Sequence, residues 1–137
     1  MHSILVRDYM QRDTNAISVS ANIAEVVSRL VKGKIPGAPV IDDKKTVVGF
    51  VSEQDCIKEM LNNAMFCDEP PSVTKVMQTD VLTVTPNTSI VEIAQTMLKH
   101  KPKIYPVVDD GKLVGIINRS LILKALVEND EDCYLRT

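Results

Sequence analysis

Val47–Val48–Gly49–Phe50–Val51–Ser52–Glu53–Gln54–Asp55 passes without a break from a short apolar strand into the start of a helix. β-Branched and aromatic residues fill the first part, and Cys56, Ile57, Met60 and Leu61 follow at helical spacing. A hydroxyl (Ser52), a carboxylate (Asp55) and the free N–H groups of a helix N-terminus therefore meet at one corner. Such a corner can receive a phosphate and its neighbouring sugar. A plainer reading stands beside it, because Ser52 with Asp55 three positions later approximates a capping box.

Outward from this corner, the whole pattern of residues 6–61 returns at 73–127. Val6 and Met10 recur as Val73 and Met77. The helical positions Ile23, Val26, Val27, Leu30 and Val31 recur as Ile90, Ile93, Ala94, Met97 and Leu98, all displaced by 67. Their spacing is that of an amphipathic helix. Pro39–Val40–Ile41–Asp42–Asp43 returns as Pro106–Val107–Val108–Asp109–Asp110. Gly49, Cys56, Ile57, Met60 and Leu61 return as Gly115, Ile122, Leu123, Leu126 and Val127, displaced by 66. First strands are expected at Ala16–Val19 and Val81–Val84.

Each copy reads as a short helix followed by a β-α-β-β-α unit. Asn22 with Glu25, and Ser89 with Glu92, mark the starts of the long helices, and Gly33 suggests a stop. Asp42–Asp43–Lys44–Lys45 and Asp109–Asp110–Gly111–Lys112 mark hairpin turns. The polar, proline-broken stretch around Asp68–Glu69–Pro70–Pro71 is a linker. The organisation is thus repeat 1 at 1–61, linker 62–72, repeat 2 at 73–129 and a tail at 130–137. A unit of roughly 55 residues buries too little apolar surface to stand alone. The expected class is α+β, with the two copies packed sheet to sheet in pseudo-two-fold symmetry.

Composition bounds the function. The 137 residues are 45% hydrophobic and 25% charged, with a formal net charge of -2. Interspersed charges give no reason to expect broad nucleic-acid binding. No apolar run is long enough to span a bilayer, and the N-terminus lacks the order of a signal peptide, so a cytoplasmic, membrane-free protein is expected. Cys56, Cys67 and Cys133 are widely spaced, without a C-x-x-C pair. Cys56 is expected in the core, and Cys133, in a polar tail, could be reactive. His2 and His100 are distant and unaccompanied by clustered ligands, and no serine sits in a G-x-S-x-G elbow. No catalytic group, metal site or catalytic cofactor is expected. Met10 and Met77 read as core plugs.

The repeated h-x-V-(S/T) strand, helix, P-V-(I/V)-D-D and G-(F/I)-(V/I)-(S/N) elements resemble the tandem CBS domain pair, or Bateman module, over about residues 4–129. The resemblance is to free-standing CBS pair proteins. It implies a regulatory module whose adenosine-containing ligand (AMP, ADP, ATP or S-adenosylmethionine) lies in a cleft between the copies. In the family's G-x-x-(S/T)-x-x-D pattern the hydroxyl faces phosphate and the Asp accepts from the ribose hydroxyls. Gly49, Ser52 and Asp55 match it. Repeat 2 departs, with Asn118 and Leu121 after Gly115, and leucine cannot accept such a bond. One nucleotide-competent cleft, on repeat 1, is therefore implied.

By the same resemblance Ile35, Gly37 and Ala38 line the purine side, with Pro36–Gly37 as a mere turn being the alternative. Ser20 faces ligand or is only a polar residue leading into a helix. Lys103 points at phosphate, or belongs with Lys99 and Lys101 to a basic turn at a helix end. The family also implies a homodimer through its helices, with Ile122, Leu123, Leu126 and Val127 serving core, dimer or both, and an unidentified regulated protein. The alternative function is a constitutive dimerisation or protein-interaction module with no nucleotide.

Overall fold

The computed structural model describes residues 4–62, 69–100 and 102–129. Cys67, Cys133, His2, Lys101 and the tail from 130 onward, on which expectations fell, lie outside them. In order, a 3-10 turn (Val6–Asp8) leads to β1 (Ile17–Ser18), α1 (Ile23–Gly33), β2 (Gly37–Ile41), β3 (Val47–Ser52) and α2 (Glu53–Asn62). Then come α3 (Val73–Val76), α4 (Ile90–Lys99), β4 (Ile104–Asp109), β5 (Lys112–Asn118) and α5 (Arg119–Asn129). The content is α+β, as expected.

Asn22 starts α1 with a full capping box. Its side chain accepts from the Glu25 N–H at 3.0 Å, and the Glu25 carboxylate accepts from the Asn22 N–H at 3.3 Å. Gly33 remains helical, and the helix closes one residue later at Lys34 in the left-handed region (φ 53°), whose N–H reaches the Leu30 and Val31 carbonyls. At α4, Ser89 occupies the N-cap but its side chain makes no capping bond. A segment distant in sequence supplies a partner instead, since the Ile90 N–H donates to the Ile4 carbonyl at 2.8 Å. The Ile23 N–H of α1 is met in the same way by Pro71 at 2.9 Å. The predicted apolar stripes are narrower than drawn, because the equivalent residues Val31 and Leu98 are 69% and 88% exposed.

β2 joins β1 in parallel and β3 antiparallel, with Gly37 opposite Ser52. The strand expected at 81–84 is reduced to a single parallel bridge between Val84 and Val107. Pro86 and the turn in which the Thr85 N–H bonds the Thr88 hydroxyl at 2.9 Å cut it short. Both hairpin turns fall where predicted. Asp110 (φ 52°) and Gly111 (φ 76°) take the paired positive φ of a tight two-residue turn. Asp42 accepts the Lys44 and Thr46 N–H groups at 2.9 Å each.

The compact units do not follow the written copies. One comprises Thr14–Val81 and Gly111–Leu113, and carries β1–β3. The other comprises Met1–Asp13, Leu82–Asp110 and Val114–Thr137, and carries most of β4–β5. Val73, in the short helix that opens repeat 2, is fully buried with Ile17, Val26, Leu30, Ala38, Val40, Val51 and Cys56. Val6, in the 3-10 turn that opens repeat 1, is fully buried with Ile90, Ile93, Tyr105, Val107, Ile117 and Ile122. Each core thus takes the short helix that opens the other copy.

Tyr105 sits in the β4–β5 core at 1% exposure, and its hydroxyl has no hydrogen-bond partner among the described residues. Burial raises its pKa. An unpaired buried hydroxyl opposes folding, so Tyr105→Phe should raise stability by about 1 kcal/mol in urea unfolding. A loss of stability would mean that the hydroxyl is paired in solution.

Candidate functional site

β3 runs into α2 with no intervening loop, and the Glu53 N–H fixes the corner by donating to the Pro36 carbonyl at 2.9 Å. Ser52 and Asp55 meet there. The Ser52 N–H and hydroxyl each donate to Asp55 Oδ2 at 2.9 Å, and the Asp55 N–H donates to Ser52 Oγ at 3.1 Å. The cap therefore uses the same atoms on which the expected ligand chemistry falls. The cap engages Oδ2, whereas Oδ1 accepts, among the described residues, only from Gln78 Nε2 at 3.3 Å. The same Nε2 lies 3.5 Å from Oδ2.

Gln78 reaches the carboxylate because its backbone extends the sheet. Its N–H and carbonyl both bond Phe50, at 2.8 Å each, as a short antiparallel bridge beside β3. Met77, just before it, fills the space over Gly49. A Cβ there would lie 2.4 Å from Met77 Sδ and 2.9 Å from the Gln78 carbonyl oxygen. The first glycine of G-x-x-S-x-x-D thus makes room for a protein side chain, and the methionine is the plug that the sequence suggested.

The residues expected to line the purine side divide. Gly37 opens β2 and is buried, so Pro36–Gly37 is no free turn. Its missing side chain accommodates the Phe50 ring, since a Cβ would lie 2.6 Å from Cε1, and 3.0 Å from the Val51 carbonyl oxygen. Ala38 is fully buried in the core, and Ile35 packs half-buried against it.

Ser20 is placed elsewhere. The parallel register sets Ser18 against Ile41, so Ser20 lies past the far end of β2, about 13 Å of strand from Gly37 and Ser52. It is exposed, with its Oγ 2.8 Å from Ser18 Oγ. Lys103, also exposed, precedes β4 in the other unit.

The corner of repeat 2 has the same frame and different chemistry. Asn118 Oδ1 accepts from the Leu121 N–H at 2.9 Å, so the helix is capped, but Leu121 offers no carboxylate. Met10 and Gln11 lie on Gly115 as Met77 and Gln78 lie on Gly49. A cavity of about 510 Å³ beside Leu121 is lined also by Asp8, Tyr9, Met10, Gln11, Lys124 and Glu128. In it the Tyr9 hydroxyl donates to Glu128 and accepts from Asn129, at 2.8 Å each. The Glu128 bond and burial raise the pKa of Tyr9. Cys56 is buried, and burial, then the charges of Asp55 and Glu53, push its thiol up, away from the reactive thiolate.

Gln78 is the residue that sequence reasoning passed over. Its signal was present, because Met10–Gln11 recurs as Met77–Gln78 at the displacement of 67 that relates the long helices. Among the described residues no cluster of His, Cys, Asp or Glu could hold a metal ion, and no helix is long and apolar enough to cross a membrane.

Comparison with known proteins agrees with this double corner. The CBS domain model matches residues 6–62 and again 73–128. Over 121 residues the chain is 28% identical to the uncharacterized protein MJ1225 of Methanocaldococcus jannaschii, covering 88% of this chain and 42% of that protein. It is 29% identical to the A-adding tRNA nucleotidyltransferase of Aquifex aeolicus, covering 92% of this chain and 15% of the enzyme. The chain thus spans less than half of these two relatives. A crystal structure of CBSX2 in complex with AMP is similar at 32% identity and a TM-score of 0.78, covering 90% of this chain and 96% of that one. With both copies matched by the family model, the chain belongs to the CBS domain family as a tandem pair.

Proposed function

We propose that the chain is a regulatory module that binds an adenosine-containing ligand at the Ser52–Asp55 corner of repeat 1. The observation that carries this reading is Asp55 Oδ1, a carboxylate oxygen left outside the cap and met, among the described residues, only by an exposed amide. The similar CBSX2, in complex with AMP, supports the ligand class. Asp55 receives ribose, and Ser52 stands toward phosphate at a helix N-terminus. Glu53, exposed in the first turn of α2, disfavours a second anion there, so a cation is needed. Lys103 is assigned that part from the family resemblance, and Ile35 and Gly37 the purine side. Regulation follows when the ligand prefers one arrangement of the chain over another.

Calorimetric titration with AMP, ADP, ATP, NAD and S-adenosylmethionine tests the reading. Saturable binding near one site per chain is expected for at least one adenosine compound. The reciprocal Ser52–Asp55 cap favours the other reading, a constitutive interaction module in which these residues only start a helix. The absence of binding by all five compounds would decide for it.

We also infer a homodimer. Ile57, Met60 and Leu61 on α2 are 57%, 54% and 72% exposed, and Leu123 and Val127 on α5 are exposed too, while Ile122 is buried in the core. A charge in an apolar interface opposes association. Light scattering should give twice the chain mass for the native protein and the chain mass for Ile57→Glu. A native monomer at micromolar concentration would overturn the inference.

A further inference from the structure

Gln78 holds Asp55 by choice of its side chain, and the chain contains the control. Gln11 has the same backbone setting, exchanging hydrogen bonds of 2.8 and 2.9 Å with Ile116 as Gln78 does with Phe50. Where Asp55 stands in repeat 1, Leu121 stands in repeat 2, and the Gln11 amide turns instead to the Asp13 carbonyl at 2.7 Å. The backbone does not dictate the Gln78–Asp55 contact; the carboxylate attracts the amide. Donating through Nε2 leaves Oε1 of Gln78 to accept, and among the described residues it accepts from no donor. Oδ2 of Asp55 already takes two short bonds from Ser52. A vicinal diol donating both hydroxyls at this corner needs two acceptor sites, and Oδ1, with one lone pair already facing the Gln78 amide, leaves the carboxylate one.

Resting on the adenosine-site reading, we propose that ribose recognition is shared: Asp55 Oδ1 accepts from one ribose hydroxyl and Gln78 Oε1 accepts from the other. Gln78 is then a specificity-determining residue for the sugar. It comes from the opening segment of repeat 2, and its backbone is fixed by Phe50. Repeat 2 has the glutamine without the carboxylate, so Gln11 does not perform this role.

The test is calorimetry of AMP, 2′-deoxy-AMP and 3′-deoxy-AMP against the native protein, Gln78→Ala and Asp55→Ala, with melting temperatures measured alongside. In the native protein each deoxy analogue should bind about tenfold more weakly than AMP. Gln78→Ala should lose about tenfold for AMP and bind one deoxy analogue as well as AMP. The penalty for the other analogue should remain, because Asp55 is intact. The side chain is exposed, so the melting temperature should hold. Native-like AMP affinity with both deoxy penalties intact in Gln78→Ala would overturn the shared recognition while leaving the adenosine site standing. Tighter binding by Gln78→Ala would overturn it also, by making the amide a competitor of the sugar. If the native protein binds no adenosine nucleotide, the site reading falls and this inference with it.

Discussion

Asp55→Ala should lower affinity for the adenosine ligand about 100-fold, the loss of a hydrogen bond to a charged acceptor at a partly buried site. It should also cost about 1 kcal/mol of stability, because Oδ2 no longer receives the Ser52 N–H and hydroxyl. The two losses separate in Asp55→Asn. Its amide oxygen still accepts from the Ser52 N–H, so the helix start survives and the melting temperature stays near native. With the charge gone, the affinity for AMP should still fall about tenfold. Calorimetry and thermal unfolding of both variants check this. If Asp55→Asn binds AMP as the native protein does, the carboxylate is a cap and the ribose is held elsewhere.

Gly49→Ala should be among the most destabilising single-atom additions to the chain. Its new Cβ meets Met77 Sδ, which can swing aside, and the Gln78 carbonyl oxygen at 2.9 Å, which is tied to the Phe50 N–H and cannot. Overpacking of this kind costs about 1–3 kcal/mol. Urea unfolding should show a lower midpoint with an unchanged slope. Adding Met77→Ala should not restore the midpoint, because that change clears the sulfur and leaves the carbonyl. Displacing Gln78 also moves its amide from Asp55, so the variant should bind adenosine ligands more weakly. Unchanged stability would mean that the bridge beside β3 yields at little cost.

Much of this was legible in the residues themselves. Two copies of one ordered pattern gave the α+β class, the capped helix at Asn22 and both hairpin turns, because each depends on residues close in sequence. Ser52 and Asp55 were legible for the same reason. The packing of the Phe50 ring on Gly37 was hidden because the ring arrives from the adjacent strand. The place of Ser20, beyond the end of β2 away from Gly37, is hidden because only the register of β1 on β2 reveals which end of the sheet it occupies. Ala38 read as a lining residue, and the alternation of β2 sends it into the core. Gln78 escaped notice because it sits 23 positions from the carboxylate it touches. What local pattern hides is the partner supplied by a different stretch of chain.

The exchanged short helices set an order of events during synthesis. The β1–β3 unit draws nearly everything from one continuous stretch, Thr14–Val81, and can assemble once that stretch has left the ribosome. Residues 1–13 emerge before that stretch yet belong to a core whose other members begin at Leu82. They must wait, and then close a loop that spans the whole of the already folded neighbour. Once that neighbour has folded its ends are held at fixed positions, so the closure loses less entropy than that of a free chain of equal length. The continuous unit thus acts as a scaffold for the divided one, and residues 1–13, made before Thr14–Val81, are buried after it.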